Sequence, residues 1–499
     1  MNESAPYVPT PYDTVRYPSY SHSFSHVDRL ATQARLFGVE SASPSACRVL
    51  ELGCGNGSNL IPMAYGLPGS RFVGVDNALG PIGAATRMAA ELGIDNVEFI
   101  HRDILELDDS LGVFDYIVVH GLYSWVPPAV ADKVLALCGE LLAADGVAFV
   151  SYLAYPGSHA RQMLREIMMF HLQAVDDPIT VKAEARELAA WLVSVPSAGD
   201  TTRAAMQADA TRFLAADIDY VFHDDLAEWN VPVYFTQFVN AAASYGLQFL
   251  AEADAVEMEA YDLPDEMRAR LDVLSGTRVL REQYLDFARA RRFRQTLLCR
   301  TAVTVAATPE PSRLASLFVS SPTPMPEGGI DLAPQVDVRF ESPRGSTLET
   351  HYPLGKAALE VLIEEAPRRL SFDALEAAAR VRVGSDVADT SLAELQEFLL
   401  RLHTTGYVSL HTEAARIVSR AGPHPLVNAV ARWQALEGRY VTSSTHVGYT
   451  YGDELGLRLI PLADGTRTRD VLMVDLGEAD ALEIDRQLDG LARLGFMEA

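Results

Sequence analysis

Lysine is nearly missing from this 499-residue chain, occurring only at Lys133, Lys182 and Lys356, and the formal net charge is −26. That balance excludes a broad nucleic-acid footprint, because holding phosphates takes clustered basic side chains. Cysteine is scarce as well. Cys47, Cys54, Cys138 and Cys299 form no CxxC pair and no dense spacing. A disulfide scaffold is therefore excluded, and a reducing cytoplasm is the expected setting. No HExxH or paired CxxC occurs, so no metal is expected. No apolar run approaches the ~18 residues of a membrane span. The first residues, MNESAPYVPTPYD, lack the basic segment and apolar core of a signal peptide.

What is present is ordinary globular material, 48% hydrophobic and 22% charged, with length for about two to four domains. Residues 1–25, rich in Pro, Tyr and Ser, read as an extended arm or lid, and Val27–Phe37 as a helix. Strand signals follow at Arg48–Leu52, Arg71–Val75, Val97–His101, Phe114–His120 and Gly146–Leu153. Helical signals fall between them at Ser58–Tyr65, Pro81–Leu92 and Ala129–Leu142. Strands alternating with helices of this length predict a parallel α/β sheet, which binds ligands beyond the carboxyl ends of its strands. Residues 158–220 read as helical, a mixed segment follows, and 294–305 reads as a strand returning to the sheet. The expected domains are 1–157 (sheet and arm), 158–308 (helical and mixed), 309–338 (proline-rich linker), and two winged-helix-like modules at 339–420 and 421–499. The modules rest on a repeated rhythm of helix, glycine break and strand at 392–411 and 482–499. Acidic residues outnumber basic ones in both, 12 to 10 and 12 to 7, so they predict protein interaction or homodimerisation surfaces rather than DNA binding.

The informative segment is VLELGCGNG at 49–57. Glycines at 53, 55 and 57 allow positive φ and let a ligand approach the backbone. Glu51, two residues before the first glycine, would face a pyrophosphate unfavourably but suits a ligand that carries an amino group and a sulfonium. Asp76 ends the second strand, where a carboxylate can accept from both ribose hydroxyls. Asp103 follows the third strand, placed to accept from an adenine amino group while Ile104 donates its backbone N–H. Cys54, Asn59 and Asn77 lie on the same turns and join the expected cofactor contacts, with His120.

These residues make 48–153 resemble the class I S-adenosylmethionine-dependent methyltransferases, with their Rossmann-like fold. The resemblance implies that Glu51 approaches the methionine amino group, that Asp76 and Asp103 hold ribose and adenine, and that His120–Gly121 lines the methyl-transfer site. Longer phrases narrow it: YPSYSHSFSHVDRLATQARLFG (17–38), HGLYSWVP (120–127), SYLAYPGSHARQMLREIMMFH (151–171), HDDLAEWNVPVYF (223–235) and REQYLDFARARRFRQTLLCR (281–300). They resemble bacterial methyltransferases carrying a methyltransferase regulatory domain, a group that includes rickettsial protein-lysine methyltransferases. Leu153 and Ser158 depart from that group, where Asn and Trp are expected.

The expected activity is methylation of a lysine nitrogen in a protein or peptide. A lysine must shed a proton before it attacks, and apolar or aromatic walls with a nearby His, Tyr or carboxylate serve that end. Candidate catalytic residues are Tyr17, His120, Tyr123, Trp125 and Tyr152, with His26, Tyr155, His223 and Asp224 as further candidates. Two other readings remain open at this level: a natural-product O- or N-methyltransferase with the C-terminal modules as a lid, and a non-catalytic cofactor-binding regulator.

Overall fold

A computed structural model describes residues 9–384, 391–477 and 480–499. Seven strands form one sheet: β1 (Arg48–Leu52), β2 (Arg71–Asp76), β3 (Val97–His101), β4 (Phe114–Val119), β5 (Leu142–Leu153), β6 (Leu247–Glu252) and β7 (Phe293–Arg300). Their order is β3-β2-β1-β4-β5-β7-β6. Neighbours from β3 to β5 run parallel, and β7 runs antiparallel to both β5 and β6. The order reverses between β1 and β4, so a ligand crevice opens beyond their carboxyl ends.

Burial on both faces explains the apolar runs that mark these strands. Val49, Phe72, Tyr116 and Phe149 pack on one side with Val27, Leu30, Leu60 and Met63. Leu50, Val75, Ile117 and Val150 pack on the other with Val134, Leu137 and Phe238. Each such side chain contributes about 1.5–3 kcal/mol on burial. The returning strand stops at Arg300 rather than Val305, because the chain turns there and Val303 N–H donates to the Arg300 carbonyl. β5 starts at Leu142, ahead of the expected Gly146, and meets β4 through an irregularity in register.

Four helices, His159–Leu172, Pro178–Ser194, Thr201–Ala215 and Ile218–Asp224, form a separate cluster around Leu164, Met168, Ala189, Phe213 and Val221. The chain re-enters the sheet through β6 and β7. There the buried Arg294 pairs with Glu252, Glu282 and Asp286, and its guanidinium stands 3.9 Å over the Phe235 ring.

The proline-rich stretch 309–338 is not a free linker. It holds a helical turn, Pro311–Ser316, and a strand, Phe318–Ser320, which is the middle of a three-stranded sheet with Leu370–Ser371 and Ser409–His411. Leu314, Leu317 and Val319 anchor it in the main core, which overrides the local proline signal. Helices Pro353–Glu365, Phe372–Val383 and Leu392–Thr404 pack around that sheet. The last module joins helices Ala429–Glu437, Glu454–Leu462, Arg469–Leu476 and Ala481–Arg493 to a hairpin, Tyr440–Thr442 and Gly448–Thr450. Its final residues form isolated bridges at Met497 and Glu498, where a strand is expected. Among the described residues no helix is long and apolar enough to cross a membrane.

Candidate active site

The turn after β1 is held from beneath by β2. Gly53 and Cys54 N–H donate to the Val75 carbonyl at 2.8 and 3.1 Å. Asp76 Oδ2 accepts from Gly55 N–H at 2.8 Å, and its Oδ1 accepts from Ala78 N–H at 2.9 Å. Gly53, Gly55 and Gly57 have φ of 75°, 52° and 73°. A Cβ on Gly55 would meet nothing within 4 Å, so the backbone there is open to a ligand. A Cβ on Gly57 would stand 2.8 Å from Phe99 Cζ and 2.9 Å from Ile61 Cδ1. Gly57→Ala should therefore lower stability by about 1–3 kcal/mol through backbone strain and displaced packing. Thermal unfolding of the ligand-free chain checks this, and an unchanged midpoint would contradict it.

Glu51 is 3% exposed. Asn59 Nδ2 donates to its Oε1 at 2.7 Å, while its Oε2 is buried with no hydrogen-bond partner. Burial pushes its carboxyl up to about 8; the Asn59 bond opposes that shift and the charge of Asp76 adds to it. Burial also raises Asp76. A buried oxygen without a donor, beside an open glycine turn, fits a ligand that brings a cationic amino group.

The arm crosses this crevice. Gly80 N–H donates to Asp13 Oδ1 at 2.8 Å. Tyr12 stacks on His223 at 4.3 Å, and burial, then the charges of Asp76 and Asp224, raise its hydroxyl. Further along, His22 N–H donates to Asn59 Oδ1 at 3.0 Å, and the His22 ring lies 4.0 Å from that of His120. His120 Nδ1 is 2.9 Å from Ser151 Oγ, which also accepts from Gly121 N–H at 3.0 Å. Phe24, Phe149 and Phe293 surround the His120 ring at 5.1, 6.2 and 6.3 Å. Burial holds His120 well below the ordinary imidazole value and His22 at about 4, so both are neutral.

Glu51, Asp76 and Asp103 lie at the carboxyl ends of three adjacent parallel strands, β1, β2 and β3. Asp103 is exposed on the rim and accepts from Leu105 N–H at 2.8 Å, with Ile104 buried beside it. Asn77 is exposed, and its carbonyl is 3.1 Å from His101 Nε2. Cys54 turns away from the crevice, since its Sγ fills the space above Gly74.

The other candidates separate. Tyr17 joins an arm cluster, 6.1 Å from Tyr220 and 5.6 Å from His223. Trp125 is a peg, its Nε1 donating to the Asp224 carbonyl at 3.2 Å. Tyr152 is a correction: it is 0% exposed, stacks on Phe238 at 4.1 Å and bonds Thr296 Oγ1 at 3.0 Å, on the strand face opposite Ser151. Tyr123 is half-buried and packs against the Tyr152 and Phe238 rings, at 6.0 and 5.2 Å. His26 Nδ1 accepts from Asp28 N–H at 3.2 Å and so caps a helix. His223 Nε2 donates to the Val15 carbonyl at 2.9 Å, Arg161 pairs with Asp224 and Asp225, and Tyr155 stacks on His159 at 4.3 Å. Leu153 and Ser158 are buried, the serine donating to the Arg292 carbonyl at 3.1 Å. Sequence reasoning passed over Tyr12, His22, Ser25 and His446. Tyr12 stacks on His223, and His22, Ser25 and His446 all bond Asn59, the serine oxygen accepting from its Nδ2 at 3.1 Å; such contacts between residues far apart in the chain leave no local pattern.

The sheet order and the carboxylate beneath the glycine turn fit the class I S-adenosylmethionine-dependent methyltransferases. Comparison with known proteins agrees. The family described as "Methyltransferase domain" matches residues 43–195, and "Predicted methyltransferase regulatory domain" matches 217–300. The chain is 30% identical over 492 residues to Uncharacterized protein RP789 of Rickettsia prowazekii, covering 96% of this chain and 88% of that one. It is 34% identical over 232 residues to RP028 of the same organism, covering 46% of this chain and 93% of the relative. The solved structure of PKMT2 from Rickettsia typhi, also determined in complex with AdoHcy, superposes with a TM-score of 0.86 at 26% identity, covering 96% of this chain and 99% of that one. The chain belongs to the S-adenosylmethionine-dependent methyltransferases that carry a methyltransferase regulatory domain, and S-adenosylmethionine is its cofactor.

Proposed function

We propose that this enzyme methylates a lysine nitrogen of a protein or peptide. The observation that carries the reading is the pair of neutral imidazoles, His22 and His120, set among Phe24, Phe149 and Phe293 at the end of β4. Apolar walls disfavour an ammonium, so a lysine held there sheds its proton to solvent on entry, and imidazoles that stay neutral add no opposing charge and can accept a hydrogen bond from the free amine. The end-to-end likeness to PKMT2 supports it. When bound, S-adenosylmethionine supplies an electrophilic methyl on its sulfonium. Glu51 receives the amino group through its free oxygen, Asp76 the ribose hydroxyls, and Asp103 with Ile104 the adenine edge. Gly53, Cys54 and Gly55 lend backbone, and Asn59 orients Glu51. His120 is the catalytic residue of this reading, and the arm excludes water above it.

The same proposal makes the chain cytoplasmic, in keeping with its four free, buried cysteines. It keeps the sheet domain at 1–157 and the regulatory region at 158–308, and reads the two C-terminal modules as winged-helix-like surfaces for substrate protein or a second copy. In the first of them, helix, short strand, two helices and strand follow in that order over 353–411.

Incubation with methyl-labelled cofactor and candidate proteins tests the reading. Label should appear in protein and survive base, as an N-methyl group does. The enclosure of the crevice by the arm is the observation that favours a small-molecule acceptor instead, and label confined to small metabolites would establish that alternative.

A further inference from the structure

The hairpin 440–450 belongs to the last module, yet its tip reaches the turn after β1. His446 stands in that tip with φ of 62° and is 3% exposed. Among residues other than glycine, Asn, Asp and His are the ones that tolerate this left-handed conformation. His446 Nε2 lies 2.9 Å from Asn59 Oδ1. The same oxygen receives the His22 N–H, which fixes the amide's orientation and leaves Nδ2 to donate to Glu51. An amide oxygen only accepts, so His446 Nε2 carries the proton. Burial, with His26 and His22 nearby, keeps this imidazole neutral. The last module, hairpin included, is held against the sheet domain on several sides. Tyr440 Oη accepts from Ser21 N–H of the arm at 2.7 Å. Tyr65 Oη, on helix Leu60–Gly66, donates to Glu498 Oε2 at 2.8 Å. Trp433 Nε1 donates to Glu91 Oε2 at 2.7 Å.

We propose that His446 is a positioning residue for the cofactor: acting through Asn59, it holds Glu51 so that the unpartnered Oε2 faces the amino group of S-adenosylmethionine. The last module therefore completes the cofactor site of the first, across 387 positions of sequence. The inference rests on the methyltransferase assignment. Its logic is a relay of fixed geometry. Asn59 keeps one N–H on Glu51 because His446 and the His22 N–H share its oxygen and Ser25 Oγ takes its other N–H at 3.1 Å; His446 supplies the side-chain part of that hold, and the N–H on Glu51 favours the ionised carboxylate. Loosening the amide leaves burial and the facing charge of Asp76 to protonate Glu51 further. Both the affinity for the cofactor and its pH dependence should then change.

The test uses the full chain and calorimetric titration with S-adenosylmethionine between about pH 6 and 9. His446→Asn keeps a side chain that tolerates the backbone conformation but is too short to reach Asn59. His446→Gln returns an amide N–H to the place of Nε2. The Asn variant should bind about tenfold more weakly, as expected for one hydrogen bond acting on a charged group. Its affinity should rise with pH about half a unit later than in the wild type, a shift that general loosening does not produce. The Gln variant should bind more tightly than the Asn variant, the backbone strain of Gln at this φ holding it short of the wild type. In an Asn59→Ala background, His446→Asn should change affinity less than about twofold, because the relay is already cut. Wild-type affinity in the Asn variant, or an equal loss in both backgrounds, overturns the proposal while leaving the enzyme class intact. A wild-type chain that binds no S-adenosylmethionine overturns the class, and this proposal with it.

Discussion

Glu51→Gln should weaken S-adenosylmethionine binding by roughly thirtyfold to several thousandfold, with methyl transfer falling in step. Removing one partner of a buried charge pair costs about 2–5 kcal/mol, which gives that range. The geometry sharpens the expectation. Oε2 is buried without a donor, and a glutamine amide can present either an N–H that opposes the ligand's ammonium or an oxygen without charge. The ligand-free chain should respond in the opposite sense. The folded carboxyl sits near 8, far above its ordinary value, so the folded state holds a proton that the unfolded chain gives up near pH 4.5. Stability from this group is full below that lower value and is lost progressively as pH climbs toward 8. Above pH 8, without cofactor, the Gln variant should therefore unfold at a higher temperature than the wild type. Binding of the cofactor at pH 7 should release close to one proton from wild-type Glu51 and almost none from the variant. Calorimetry in two buffers of different ionisation enthalpy measures this. Equal proton release in both chains would contradict the role assigned to Glu51.

Asp28→Ala should cost about 3–5 kcal/mol, the effect of removing one partner from a buried ion pair. Asp28 lies on helix Val27–Leu36 and gathers donors from the first C-terminal module. Arg369 Nη1 bonds Oδ2 at 3.0 Å and His411 Nδ1 bonds it at 2.9 Å. Thr412 N–H and Oγ1 bond Oδ1 at 2.7 and 2.8 Å, and Glu413 N–H at 3.2 Å. Alanine strands Arg369, whose side chain is 10% exposed, with no counter-charge at this position. Arg369 and the His411 bond hold the Asp28 carboxyl far below the usual carboxylate range, against the cost of burial. A depressed folded value means the contribution is complete above about pH 4 and disappears only at the acid extreme. Mild acid should therefore not reproduce the variant. Thermal unfolding with limited proteolysis checks the prediction: the variant should lose several degrees and be cut around residues 320–410 before the sheet domain. A variant as stable and as resistant as the wild type would contradict it.

The parallel sheet was legible because burial on both faces writes apolar runs into β1, β2 and β4, and glycines mark the turn that follows β1. Glu51 stood out because it lies at the end of the first strand, two residues before the first glycine, where a carboxylate suits a cationic ligand. The rest depends on contacts that no local pattern encodes. Ser151 and Tyr152 are neighbours in β5, yet strand alternation sends one to His120 and the other into the core. The sequence shows the alternation but not which face carries the site. The prolines of 309–338 read as punctuation, while Leu314, Leu317 and Val319 decide that the stretch is packed. His446 had no motif to mark it, because its meaning comes from Asn59, far earlier in the chain.

A crystal structure of the chain with S-adenosylhomocysteine tests the central claim most directly. The account predicts the ligand's amino nitrogen within about 3 Å of Glu51 Oε2, its ribose hydroxyls on Asp76, and its sulfur facing His120. A ligand seated elsewhere, or Glu51 Oε2 still without a partner beneath it, would contradict the account.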